Sequence, residues 1–398
     1  MLRHLLRLTW KRKSRNLMLS LEILLAFVIV FGIAATGLRY WQLYRMPLGF
    51  DGTDTWAVTL RMGGIRPESI PADVYDPLHR SLRDLPEVRA VSFITYAPYM
   101  NYSWTTDFQP PRSGPTVELG SLQVSDDLPD TLGVKLAAGR WFSAADDGQD
   151  AIPVVLDARA AAALFPDRPA LGQRFTDANE GATHTYRVIG LVDAFRNHGP
   201  LMAPTGFVLM RFLPHATPWR PRAILLRVAP GTPRSFEATL NQRLKAVRSD
   251  WRYEIAPLQS LRASMLKTQL VPLVVAAVIA SFMLLMVAFG LFGVLWQNTT
   301  RRIPEIGLRR ALGARAGDIY RQIIAEQLLI CSFAMAVGLV LLVQLPLTGA
   351  FADTLNWPVF AGAGALSMAV IYLLSFVCSL YPGWRASRLD PAAALHYE

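Results

Sequence analysis

Long apolar runs alternate with two different kinds of polar sequence along this chain. Four runs, Leu17–Leu38, Leu270–Trp296, Ile323–Leu347 and Val359–Tyr381, are each long enough to cross a hydrocarbon core of about 30 Å, which takes about 20 helical residues. Between the first two the pattern changes to short alternations. Thr55–Leu60 alternates like a strand, Ala72–Leu85 has helical spacing, and Val88–Thr95 alternates again. Near the far end Ala223–Ala229, Pro233–Val247 and Arg252–Ala256 repeat that order. The repetition predicts two similar α/β units packed together. Between them, at about 110–212, Val117–Val124, Val154–Asp157, Tyr186–Val192 and Phe207–Phe212 predict a strand-rich insert with a short helix at Ala158–Phe165.

The predicted fold class is an α-helical membrane protein with four transmembrane helices and a large α+β extracytoplasmic domain between the first and second. The expected boundaries are a cytoplasmic amphipathic helix at 1–16 and a first span at 17–38. The large domain follows at 39–269 and the second span at 270–296. A cytoplasmic loop at 297–322 leads to the third span at 323–347. A short periplasmic loop at 348–358, a fourth span at 359–381 and a cytoplasmic tail at 382–398 complete the chain. Arg39–Met46 is expected to prolong the first helix until Pro47 and Gly49 stop it. Leu258–Gln269 is expected to run helically into the second span near Pro272, so the two segments would form a stalk. The first run is read as a retained span, since its apolar core is too long for a signal peptide and no small-x-small cleavage pattern follows.

Charge sets the expected orientation. The net charge is +10 and the pI about 9.8, yet the basic residues are not spread evenly. Residues 1–16 carry six Lys/Arg and no acid, and residues 297–322 carry six Arg against Glu305 and Asp318. Residues 39–268 are nearly balanced, with 26 Lys/Arg and 23 Asp/Glu, and Pro346–Pro358 has neither Lys nor Arg. This bias places both termini and the 297–322 loop in the cytoplasm and the large domain outside. It also removes nucleic acid as a partner. The leucines interleaved with basic residues in Leu2–Arg15 suit a helix lying among anionic lipid headgroups, with a basic tail that only sets orientation as the other reading. The only two cysteines, Cys331 and Cys378, fall within spans, so the large domain must be stable without disulfides. A bacterial envelope protein fits that composition.

Signatures of catalysis are missing. The 398 residues contain no G-x-x-x-x-G-K-[ST], H-E-x-x-H, C-x-x-C or G-x-S-x-G. His184 and His198 are read as surface residues with no ligand set around them, so no metal site, cofactor or enzyme activity is expected in this chain. Glu22 and Glu326 lie in or near spans, where an acid is a functional candidate by default. Both sit toward the cytoplasmic side and not the midplane, which favours structural or interfacial pairing over proton coupling. In the 297–322 loop, Pro304 suits a first helical turn, Glu305 its positive end, Arg309 and Arg310 its negative end, and Gly313 a stop. Glu305 and Arg309 are an i,i+4 pair. A short helix Pro304–Leu312 follows, whose Ile306, Leu308 and Leu312 either lie on the membrane or dock into another protein.

The segment Arg302-Ile-Pro-Glu-Ile-Gly-Leu-Arg-Arg-Ala-Leu-Gly-Ala-Arg315 resembles the MacB/FtsX-type ABC transporter permease family, with its E-I-G, basic pair and A-L-G-A. The resemblance continues in Asp318–Glu326 and in the ending Tyr381–Leu395, which is similar to a P-x-x-R-A-[AS]-x-x-x-P-x-x-A-L tail. Leu132–Leu136, Gly139–Phe142, Leu164-Phe165, Leu171-Gly172 and Val188–Val192 echo elements of the MacB-like outer domain. The resemblance implies a permease subunit that couples ATP hydrolysis in a separate cytoplasmic ATPase dimer, which binds the ATP and magnesium, to export by mechanotransmission. It implies a second permease chain, identical or paralogous, and a periplasmic adaptor with an outer-membrane duct, in the bacterial inner membrane. It assigns ATPase coupling to Pro304, Glu305, Ile306, Leu308, Arg309, Arg310 and Leu312. MacB-like members carry a fused ATPase ahead of the first span, and here only about sixteen residues precede it, hence the separate subunit. Regulation of a cell-wall enzyme, as in FtsX-type members, and lipoprotein extraction are the alternatives within the same resemblance.

Overall fold

The computed structural model describes residues 13–64, 69–100, 102, 104–111, 115–178, 184–215, 217, 220–349 and 355–388, with side chains from Met18 onward. The basic segment Leu2–Arg15 and the tail beyond 388 lie wholly or largely outside these residues. The chain divides into two compact units, residues 1–42 with 270–398, and residues 43–269.

Helix α1 (Lys13–Tyr44) carries the first apolar run. Its end is secured within the second unit by Arg196, which is 5% exposed. The guanidinium donates to the carbonyls of Leu43 (2.8 Å) and Met46 (3.2 Å), and also to those of Pro200 and Met202. A cation on the last carbonyls of a helix satisfies acceptors that have no partner in the helix itself.

The 43–269 unit then runs β1 (Thr55–Arg61), a 3-10 turn, α2 (Tyr75–Arg83), β2 (Val88–Ile94), β3 (Thr105–Gln109), β4 (Val117–Val124), α3 (Leu128–Leu132) and β5 (Leu136–Gly139). It continues through β6 (Ile152–Asp157), α4 (Ala158–Leu164), β7 (Arg174–Asp177), β8 (Thr185–Val192) and β9 (Phe207–Arg211), and ends with β10 (Ala223–Val228), α5 (Phe236–Val247) and β11 (Arg252–Pro257). The two strand-helix-strand segments, expected as two similar units packed together, share one sheet. Their strands interleave in the order β11-β1-β10-β2, all antiparallel neighbours, which is a split β-α-β arrangement. Alternation explains why both faces are apolar. Trp56, Val58 and Leu60 join Ile224 and Leu226 beneath α2 and α5, while Ala57 and Leu225 face the other way, toward Leu128, Phe195 and Leu258.

The insert is a closed ring. β4 pairs with β3, β3 with β7, β7 with β8, β8 with β6, β6 with β9, and β9 again with β4. Inside it, Phe108, Phe175 and Tyr186 pack edge-to-face or stacked at 5.3–5.5 Å. At Gly120 the ring is tight, since a Cβ would stand 2.6 Å from the Phe207 ring. The ring meets the four-stranded sheet through one register pair, Ile94 with Val124. His198 is half-buried between the rings of Tyr96 and Phe207, not at the surface, and burial lowers its pKa.

The other unit packs four long apolar helices, each long and apolar enough to cross a membrane. These are α1, α6 (Leu258–Arg301), α8 (Ala316–Leu342) and α10 (Trp357–Ser387), with α7 (Ile303–Ala311) between α6 and α8 and a short α9 (Gln344–Thr348) after α8. Pro272 sits inside α6 without ending it. Helices α8 and α10 are joined by polar contacts, Cys331 with Ser375 at 2.9 Å and Ser332 with Tyr372 at 2.7 Å. Such polar pairs hold helices together where lipid offers no hydrophobic contrast. Phe31 of α1 meets Phe360 of α10 edge-on at 5.4 Å. The middle of α6 keeps a broad uncovered apolar face, with Phe282, Met286 and Phe289 each about two-thirds exposed.

Candidate functional site

The connection between α6 and α8 is built as a small, rigid projection. Arg302 caps α7, Pro304 and Glu305 occupy its first turn, and Arg309 and Arg310 its last. Its end is a Schellman motif. The Gly313 N–H donates to Arg310 O (3.1 Å) and the Ala314 N–H to Arg309 O (3.0 Å), with Gly313 at φ +95°. The helix starts at Ile303, one residue before the expected Pro304, and Leu312 is its cap.

Two sides of α7 differ. Ile306 is buried against Ile319, Ile323 and Ala386, so it anchors the helix to its own chain. That corrects the expectation that Ile306 reaches a partner. Pro304, Leu308 and Leu312, four residues apart, share the opposite face, with Leu308 53% and Leu312 80% exposed.

A chain of charge-assisted hydrogen bonds ties α7 to α8. Arg302 pairs with Glu326 at 2.6 Å, both side chains under 20% exposed. Gln322 donates to Glu326 (2.9 Å), Arg309 donates to Gln322 (2.9 Å), and Arg309 also pairs with Glu305 (2.6 Å). Glu326 thus holds the loop. Gln322, the middle link, was not anticipated, although its i,i+4 spacing from Glu326 opposite two arginines was readable. Arg310 is half-buried. Glu22 lies apart from it, its carboxylate against Gly290 of α6, where a Cβ would stand 2.8 Å from Oε1.

A further cluster went unread in the sequence. Phe292 and Trp296 of α6 stack with Tyr381 of α10, the Trp296 and Tyr381 planes lying 5° apart at 5.9 Å. Arg385 lies 4.3 Å over Trp296 and Arg388 4.6 Å over Trp384. Trp and Tyr with Arg at helical spacing near the end of an apolar run were the available signal. Among the described residues no three His, Cys, Asp or Glu converge as a metal site.

Four spans, a helical projection between the second and third, and a large α+β domain between the first and second define an integral-membrane permease with an extracytoplasmic core domain. Residues 18–243 match the family MacB-like periplasmic core domain and residues 277–391 match FtsX-like permease C-terminal. The chain belongs to the MacB/FtsX-type ABC transporter permease family. It is 31% identical over 279 residues to a macrolide export ATP-binding/permease protein MacB 1/2 of Paracoccus denitrificans (strain Pd 1222), covering 67% of this chain and 40% of the relative. A macrolide export ATP-binding/permease protein MacB of Agrobacterium fabrum (strain C58 / ATCC 33970) is 27% identical over 405 residues, covering 97% and 59% respectively. The chain therefore spans about half the length of these relatives. The solved periplasmic region of MacB from Actinobacillus actinomycetemcomitans superposes with a TM-score of 0.40 at 17% identity, covering 56% of this chain and 97% of that one. Four apolar helices and a periplasmic-type domain fit an inner-membrane protein.

Proposed function

We propose that this chain is the permease subunit of an ABC-type exporter, working with an ATPase dimer that docks on α7 from the cytoplasm. The observation that carries the reading is the two-sided helix, an exposed stripe of Pro304, Leu308 and Leu312 on a projection pinned by Ile306 and the Arg302–Glu326 pair. A lever needs both a contact face and a stiff root. Glu305 and Arg309 flank the stripe and would orient the partner. The sequence has no phosphate loop, so ATP and magnesium belong to the partner in this reading.

The chain passes between its two units only within α1 and α6. ATP-driven movement of the spans would therefore reach the large domain through two helices, and export would follow from that domain's movement. The relatives' names supply macrolides as the first compounds to test. The uncovered face of α6 would meet lipid and a second permease chain. A periplasmic adaptor is the expected outer partner.

The test is co-purification of the full-length chain with ATPase activity from native membranes. Leu308→Glu with Leu312→Glu should remove most of the bound ATPase, because two charges replace the exposed apolar stripe. Thermal unfolding of the permease should stay unchanged, as surface changes usually cost within about 0.5 kcal/mol. An ATPase that still binds the double variant at wild-type level would remove α7 as the docking site.

A further inference from the structure

Four aromatic rings form a slab at the α7 end of the span bundle. Phe292 and Trp296 of α6 and Tyr381 and Trp384 of α10 stack with ring centroids 5.9–6.2 Å apart and planes 5–27° from parallel. Ala386, two residues past Trp384, packs on Ile306 and so places the slab beside α7. Its depth follows from helix geometry. Trp357, 54% exposed, opens α10, and Tyr381, 51% exposed, lies about 36 Å further along at 1.5 Å per residue. Exposed aromatics so spaced suit the two interfaces of a hydrocarbon core about 30 Å thick. Arg385 and Arg388 stand roughly 6 and 10 Å beyond Tyr381 on the same helix, at the level of lipid headgroups.

Both arginines are exposed, and each guanidinium rests on an indole. Arg385 is 4.3 Å from the Trp296 ring centre and Arg388 is 4.6 Å from that of Trp384. Neither has a hydrogen bond or an ion pair among the described residues, so the N–H edges of both forks are unused. Three residues apart, they share one face of α10. The acids of this end are committed elsewhere. Glu305 pairs with Arg309, Glu326 with Arg302, and Asp318 accepts from the Arg315 N–H. Glu22 lies against Gly290, roughly 200° around α6 from Phe292 at 3.6 residues per turn. A planar fork already held by a ring binds a phosphate through two N–H groups with little further ordering.

We propose that Arg385 and Arg388 hold the phosphate of an anionic phospholipid, with an acyl chain lying along Phe292 and Tyr381. The net charge of the lipid follows from the lining. Two cations stand together there, and no described carboxylate is placed to receive the ammonium of a zwitterionic headgroup. The inference needs the spans but neither export nor an ATPase.

The experiment titrates the full-length chain in neutral detergent with dioleoyl-phosphatidylglycerol or dioleoyl-phosphatidylcholine and counts bound lipid by native mass spectrometry. The first phosphatidylglycerol should bind about tenfold more tightly than phosphatidylcholine, the worth of one charge-assisted hydrogen bond. Arg385→Gln with Arg388→Gln should abolish that preference. Arg301→Gln with Arg321→Gln removes the same charge from exposed positions near α7 and should keep it. Inorganic phosphate at the lipid's concentration should displace nothing. No preference in the wild type overturns the proposal, as does a preference that survives Arg385→Gln with Arg388→Gln. Equal loss in both double variants overturns it by reducing the site to general charge, and displacement by phosphate makes it a soluble-anion site. A 385/388 variant that keeps its lipid but loses a co-purifying ATPase gives the surface to that protein instead. Should the glutamine pair fail to fold, Arg385→Lys with Arg388→Lys carries the test. It keeps the charge without the fork, and full wild-type preference there also sinks the assignment.

Discussion

Ile306 faces inward, and that decides which substitutions report on docking. Ile306, Leu308 and Leu312 look alike in the sequence, because nine residues give too few turns for a periodic stripe to show which side meets the bundle. Packing against Ile319 and Ala386 settles it. Asp157 carries a second prediction at this scale. It is 3% exposed, and burial pushes its pKa up to about 6, against the N–H bonds from Ala160 and Phe207 that favour the carboxylate. The unfolded chain releases that proton near pH 3.9. The folded domain therefore holds the proton more tightly, and this contribution to stability is full below about pH 4 and lost as pH rises to about 6. Asp157→Asn keeps an acceptor for the Ala160 N–H at the start of α4. Its melting temperature should fall less than the wild type's between pH 4 and 6.5. Parallel melting profiles would show that Asp157 ionises normally.

At the scale of elements, α7 depends on α8 more than on its own nine residues, since isolated helices so short are marginal. Removing one partner of a partly buried ion pair costs up to about 3–5 kcal/mol. Glu326→Ala should therefore speed amide exchange across 303–311 in the intact chain. Arg302→Met with Glu326→Leu should restore part of the protection, because no charge is left unpaired. Unchanged exchange in Glu326→Ala would mean that Ile306 alone holds the helix. The longer strands, β1, β2, β4, β8 and β10, were readable because each is a run of six to eight residues rich in apolar side chains. Strands β3, β5 and β7 were not. Each spans four or five residues, β5 is exposed throughout and β3 buries only Phe108 outright, so no alternation marks them. Helix α3, Leu128–Leu132, is equally short.

At the scale of the molecule, the number of spans and the position of the large domain were legible, because long apolar runs and charge bias are one-dimensional signals. Strand interleaving and ring closure were not, since they join residues such as Gly120 and Phe207 across long stretches of chain. Orientation can be read by labelling. Cys331 and Cys378 are buried, so Leu312→Cys and Glu237→Cys would report against a quiet background. Impermeant maleimide should label Leu312→Cys in inside-out vesicles and Glu237→Cys in right-side-out ones. The reverse pattern would invert the topology. One feature of the sheet bears on how copies of this protein coexist. A ring of six strands has no end, whereas β11 stands at the open edge of the four-stranded sheet. There Arg252 and Glu254 stand exposed and Pro257 closes the strand. Neighbouring copies crowded in one membrane thus meet a guarded margin, where adding a foreign strand would oppose charges and lose a ladder bond. Crowding alone gives these domains little means to polymerise.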